Sequence, residues 1–393
     1  MSFGFKLAPH RRVFAAFGVY AFCMGNVFPR LPDIQHAMGV GEGPLGLGLI
    51  GLPAGTLTAL TFATPLLEKI GFRRALLIGI PLLALFYAIA VEAPNPAVFF
   101  LLLIPVGLCI GCIEIMINLE ADRTEHLVGF RIMNRAHAFW SIGFFSAGLF
   151  GALMAQLGVS PQVHLGIVVP MGVIGVALFL GFYQPSPHRT GGSTDKSALF
   201  AAPTAAIMVL VAVTLCAMLL EGASMDWSAI YMRNVFAAGP FLSGFAVATF
   251  AFSQATTRFF ADTFVEKYSP AGVARTLLAI LLVGTILVSF SPAPILSLLG
   301  FAMMGIGTSA IFPLAMSAAA QRTDRPAVIN VAALAQTSFV IFLAGPPVLG
   351  AVAQTWGIRY SFGIGLPLVL LSFAMAGALG SKPRRDTAPA PAE

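Results

Sequence analysis

The sequence predicts an all-α membrane protein in which twelve transmembrane helices form two six-helix bundles. Three observations carry this expectation. The chain divides into about twelve apolar segments of roughly 20 residues, the length an α-helix needs to cross a bilayer core. Hydrophobic residues make up 58% of the 393 positions and charged residues only 10%, where a soluble domain carries about 25% charged residues; the mean hydropathy is +0.89. Basic residues also crowd alternate gaps and both tails: Lys6, Arg11, Arg12; Lys69, Arg73, Arg74; Arg123, Arg131, Arg135; Arg189, Lys196; Arg258, Lys267, Arg275; Arg322, Arg325; Lys382, Arg384, Arg385. Only Arg30, Arg233 and Arg359 fall in or beside the other gaps. By the positive-inside rule both termini are cytoplasmic, and the chain is a multi-pass protein of the inner membrane.

The first half places spans at 12–31, 44–67, 74–92, 97–120, 136–157 and 162–183. Lys6, Arg11 and Arg12 before the first apolar run imitate a signal peptide. No small-residue cleavage site follows, so the segment reads as an uncleaved first helix. Span 2 opens with Gly46-Leu-Gly48-Leu-Ile-Gly51. A dinucleotide fingerprint would need a preceding strand, so these small residues serve close helix packing. Cys109 and Cys112 lie mid-span without a second ligand pair and read as packing residues.

Residues 184–202 hold Pro, Gly, Ser and charges and form a cytoplasmic linker between a bundle at 1–183 and a second at 203–381. The second bundle's spans fall at 203–225, 240–262, 273–291, 294–319, 327–353 and 359–380; residues 382–393 form a Pro/Ala-rich disordered tail. The halves look like copies. Leu67-Glu68-Lys69 after span 2 matches Val265-Glu266-Lys267 after span 8, about 198 positions later, and the same offset carries Gly107 onto Gly305. Such a repeat implies two bundles related by an axis along the membrane normal. Gly345-Pro346-Pro347 predicts a kink in span 11.

The loop Thr64-Pro-Leu-Leu-Glu68-Lys69-Ile-Gly71-Phe-Arg73-Arg74 resembles the GxxxDRxGRR loop of the major facilitator superfamily. It departs from that pattern at Thr64, Glu68, Lys69 and Phe72. Four further stretches are similar to the YbjJ/MosC-like branch of that superfamily: Phe28-Pro-Arg30-Leu-Pro32-Asp33, Glu114 to Asn118, Met133 to Gly143 with its His137-x-x-Trp140-Ser141, and Glu221-Gly222-x-x-x-Asp226-Trp227-Ser228. The likeness runs over nearly the whole chain; Glu114 stands where Asp is expected. It implies the major facilitator fold and a transporter whose inner gate uses Glu68, Lys69, Arg73 and Arg74, with Arg258 and Asp262 in the second half. The span-5 proline motif associated with antiporters is absent, which weakens drug/proton exchange.

Ionisable groups inside spans are expensive and therefore point to function. Glu114 and Asn118 share a helix face in the later part of span 4, and an enclosed carboxyl group is what a proton-coupled porter needs. Glu221 lies in span 7, with Asp226 and Trp227 at its end; the Trp reads equally well as an interfacial anchor. His137 and Trp140 open span 5, where Trp can stack on a sugar ring or a cation. Asn26, Gln254 and Gln336 are polar candidates that helix-to-helix hydrogen bonding explains nearly as well.

No hydrolase, ATP-binding or metal-ligating motif is present, so no enzyme, cofactor or metal is expected. The basic residues form no stripe for nucleic acid; they meet lipid headgroups. The expectation is a monomeric secondary transporter, driven by a proton gradient, that takes up a sugar- or cyclitol-like metabolite or exports a small molecule. A transporter-like sensor or assembly factor is the alternative.

Overall fold

The computed structural model describes residues 5–130, 132–182, 184–187 and 201–380, with all side chains inside those ranges except at 68, 134, 262, 266 and 328. Helices alone make up the regular structure of the described residues. Their starts follow from local chemistry. Proline occupies the first turn of the helices beginning at Pro9, Pro96, Pro161, Pro240, Pro270 and Pro294, where its missing N–H costs nothing. Asn95, Ser160, Thr204 and Ser269 each cap a helix by accepting a hydrogen bond from a backbone N–H of the first turn.

The spans run Pro9–Met38, Glu42–Phe62, Phe72–Ala90, Pro96–Val128, Met133–Gln156, Pro161–Leu180, Ala205–Phe236, Pro240–Lys267, Pro270–Phe290, Pro294–Ala320, Ala327–Trp356 and Ile358–Leu379. Eleven are both long and apolar enough to cross a membrane. The remaining one, span 8, has 28 residues but carries Ser253, Gln254, Thr256, Thr257 and Arg258. Gln254 is buried inside the protein, and a helix that turns part of its surface to a polar interior has no need to be apolar all round.

Three helices outrun their expected ends by seven residues or more. Span 1 continues through a short 3-10 turn, Phe28–Arg30, to Met38 and stops at Gly39, whose φ of 65° closes the helix. Span 4 reaches Val128, which moves Glu114 from the late part of the span to its middle. Span 7 reaches Phe236, so Asp226 and Trp227 sit well inside the helix rather than at its end. Trp227 is fully buried, which corrects its reading as an interfacial anchor. Hydropathy stops where polar residues start, whereas backbone hydrogen bonding carries a helix on through them.

Within the first bundle span 1 packs on spans 3 to 6, and span 4 on spans 2 and 3. In the second, span 7 packs on spans 8 and 10 to 12, and span 9 on spans 10 and 12. The two halves repeat at atomic detail. A Cβ at Gly107 would collide with the backbone of Leu52 and Thr56, and one at Gly305 with that of Phe250 and Gln254. The second trio stands about 198 positions after the first. One glycine in each half thus lets spans 2 and 4, or 8 and 10, approach backbone to backbone.

The main contacts that join the bundles are span 5 along span 8, and the first piece of span 2, Glu42–Leu49, against span 11; the extension of span 1 also meets spans 7 and 8. At the second, Gly46 faces the Pro346 carbonyl so closely that a side chain would not fit. The described part of the linker is tied down at both ends. Glu120, buried in span 4, accepts from the Ser186 N–H at 2.7 Å, and the Ala201 N–H donates to Gln336 at 3.0 Å. Residues 188–200 and 381–393, with the expected linker centre and tail, lie outside the described residues.

Candidate functional site

One end of the molecule carries the start of span 1 and the end of span 12; the opposite end, the far face, holds the described hydrogen bonds and ion pair that cross between bundles. Asp33, on the extension of span 1, accepts from Arg30 of its own helix at 2.8 Å and from Arg233 of span 7 at 2.7 Å. Asn234 donates to Glu42 at 2.8 Å, the Gly43 N–H to Gln354 at 2.8 Å, and the Phe241 N–H to Gln156 at 3.2 Å. Arg30 is itself buried and donates to the Val159 carbonyl at 2.8 Å. The helix extensions that hydropathy missed are what bring Asp33 and Arg233 together.

Below this seal lies a polar centre. From the first bundle comes Glu114, whose carboxylate accepts from Asn118 one turn away at 3.0 Å. The Tyr20 hydroxyl of span 1 lies within electrostatic reach of both Glu114 and Tyr87 of span 3, and near the Trp140 indole of span 5. Tyr20, Tyr87 and Trp140 each bury their polar atom without a hydrogen-bond partner. Trp140 stacks on Phe144, with ring centroids 5.2 Å apart. His137 packs edge-on against Phe17 at 5.1 Å and feels the charge of Arg258 from the other bundle.

From the second bundle come Glu221, Asp226 and Arg258. Arg258 donates to Glu221 at 3.3 Å and to the Ser309 carbonyl at 2.9 Å. The structure therefore places Arg258 with Glu221 at the centre. Asp226 lines a small cavity between spans 7 and 11 with Gly222, Phe342 and Pro346. Its carboxylate makes no hydrogen bond or ion pair among the described residues, and Tyr87 of the opposite bundle stands within its electrostatic reach.

The remaining candidates are tied between helices. Asn26, fully buried, accepts through its amide oxygen from the His164 ring of span 6 at 2.9 Å. Gln254 donates to Thr308 at 3.3 Å, and Gln336 holds the linker end. At the near face Lys69, Arg73 and Arg74 are exposed, and Arg73 donates to the Gly181 carbonyl at 2.8 Å within its own bundle. The side chains of Glu68 and Asp262 lie outside the described residues. Among the described residues no group of His, Cys, Asp and Glu is placed to hold a metal ion.

Three residues of this centre escaped the sequence. Tyr20 and Tyr87 are single hydroxyls in apolar helices, with no spacing to mark them. Asp226 was visible as a carboxylate but was assigned to a helix end.

The geometry agrees with comparisons to known proteins. The sequence model of the Major Facilitator Superfamily matches residues 209–393. An uncharacterized MFS-type transporter of Yersinia pestis is 27% identical over 365 residues, 93% of this chain and 94% of that one. The membrane protein MosC of Rhizobium meliloti is 21% identical over 330 residues, 84% of this chain and 79% of its own. A point mutant of the nucleoside transporter NupG superposes with a TM-score of 0.75 at 14% identity, covering 95% of this chain and 99% of that one.

Proposed function

We propose that this chain, which has the major facilitator fold and matches that superfamily's sequence model over its C-terminal half, is a proton-coupled secondary transporter of a small polar solute. It works as a monomer in the inner membrane with both termini cytoplasmic. The observation that carries this reading is the pairing of a sealed far face with a polar centre to which both bundles contribute, and in which the Tyr87 hydroxyl and the Asp226 carboxylate have no hydrogen-bond partner among the described residues. Buried polar groups are normally satisfied; a facing set of unsatisfied ones is a site awaiting something. With the termini in the cytoplasm, the sealed face is periplasmic, and the structure is the inward-facing stage of alternating access.

Rocking would part Asp33 from Arg233 and Glu42 from Asn234. It would bring together the near-face loops, where Glu68, Lys69, Arg73 and Arg74 meet the segment ending in Asp262. Glu114 carries the coupling proton. It sits at mid-helix, neighbours the one proton-bearing hydroxyl within reach, Tyr20, and has no cationic partner among the described residues. Arg258, by contrast, is held by Glu221. The nucleoside transporter of like fold supports a small polar cargo without specifying it.

Proteoliposomes with an imposed pH gradient, screened with radiolabelled sugars, cyclitols, nucleosides and amines, test this. Accumulation of one solute that collapses with the gradient is expected. Absence of both accumulation and counterflow for every class, with protein correctly inserted, would favour a sensor or assembly role.

A further inference from the structure

The charges of the polar centre do not balance. Between the far-face lock and the near-face loops, the described acidic and basic side chains turned to the centre are Glu114, His137, Glu221, Asp226 and Arg258. Arg258 and Glu221 neutralise each other at 3.3 Å. Glu114 is the proton carrier of the reading above and has Asn118 as its partner. Asp226 is left over: a carboxylate inside a membrane-spanning helix with neither a hydrogen bond nor a counter-ion among the described residues. A bare charge at that depth is costly unless an opposite charge joins it.

Its surroundings specify what can join it. The Tyr87 hydroxyl, 2% exposed and without a partner, feels the charge of the carboxylate from the opposite bundle. The cavity wall is otherwise apolar, built by Met218, Leu219, Ile341, Phe342 and Leu349. Pro346 and Pro347 lack the N–H groups that would bond the carbonyls of Phe342 and Leu343. This stretch of span 11 therefore offers hydrogen-bond acceptors and an aromatic face, and no lysine or arginine lines the cavity. An anion finds no side-chain donor in this lining. A neutral polyol would leave the carboxylate charge uncompensated.

We propose that Asp226, in the cavity between spans 7 and 11, is a binding site for a small organic cation, an ammonium group on an apolar body. The inference rests on the transport reading and narrows it: the solute brings the positive charge the centre lacks, and its body lies against Phe342 and Leu349.

Binding to the full chain in nanodiscs tests this with benzylammonium, benzyl alcohol and benzoate, three probes of one shape and three charges. Benzylammonium should bind roughly ten-fold or more tightly than the alcohol, the usual weight of a hydrogen bond to a charged group, and benzoate least. Asp226→Asn should erase the preference, Asp226→Glu should keep part of it, and Tyr87→Phe should weaken it several-fold; gel filtration confirms that each variant folds. Equal binding of the three, binding by none, or a preference that survives in Asp226→Asn overturns the proposal. Flux in proteoliposomes separates it from the broader reading. Charge-selective binding without counterflow removes transport and leaves the site. Accumulation of a neutral solute that benzylammonium does not inhibit removes the site and leaves transport.

Discussion

Tyr87 of span 3 feels the charge of Asp226 of span 7 across the bundle interface, and neither is hydrogen-bonded among the described residues. Folding therefore leaves a buried hydroxyl unsatisfied, which makes function and stability separable at Tyr87. Tyr87→Phe should raise stability by about 1 kcal/mol, by removing an unpartnered polar atom, while lowering solute affinity several-fold. A melting temperature that falls together with affinity would mean that the hydroxyl has a structural bond instead.

At the far face, Asp33 and Arg233 are 23% and 31% exposed, so their ion pair is worth about 1 kcal/mol or less. Arg233→Ala should shift the population several-fold toward states open on that side without preventing insertion. A cysteine replacing Ala152, buried against Gly244 of span 8, reports this through faster reaction with an impermeant maleimide. An unchanged rate removes Arg233 from the seal.

Glu114→Gln mimics the protonated carboxyl and keeps the contact to Asn118 possible. Exchange of solute down its own gradient should persist, whereas accumulation driven by a pH gradient should disappear. If the variant still concentrates solute with an unchanged pH profile, proton carriage passes to Glu221 or His137.

Orientation is checked by single cysteines. Residues introduced at Gly191 and Ala388 should label only from the cytoplasm, and one at Gly239 only from the periplasm. Labelling of the Gly191 site from outside would invert or break the twelve-span topology.

The repeated glycine contact predicts a matched pair of defects. Gly107→Val and Gly305→Val should each destabilise by about 1–3 kcal/mol or more through overpacking, because each would meet the backbone of the facing helix, which cannot turn aside. Gly166, around which a Cβ finds open space, is the control: Gly166→Ala should be neutral or stabilising, by up to about 1 kcal/mol. Similar melting curves for all three variants would discredit the close approach.

Spans, their number and the repeat were legible in the sequence because hydrophobic length and loop charge are written directly into it. So was the Glu114–Asn118 pair, since helical spacing alone brings residues four apart together. What was not legible depended on contacts between helices. Asn26 is occupied by His164 and Gln254 by Thr308, partners that no spacing connects. Asp33 and Arg233, about 200 positions apart, meet only because two helices continue past the point where apolar residues give out. Tyr20 and Tyr87 become notable only once their hydroxyls are seen to lack partners, which is a property of the packed interior and not of either residue.

The seal at Asp33 has two cations of unequal standing. Arg30 rides on the same helix, buried and anchored to Val159, while Arg233 arrives from the other bundle. When the bundles part, Asp33 surrenders one guanidinium and retains the other, so its charge is never stranded during the swing. This corner of the far side then resembles a latch with a resident counterweight: at Asp33 release forfeits one partly exposed contact, and re-engagement finds the carboxylate already aimed. Such a door is cheap to move in either direction, which suits a machine that must open it once in every cycle.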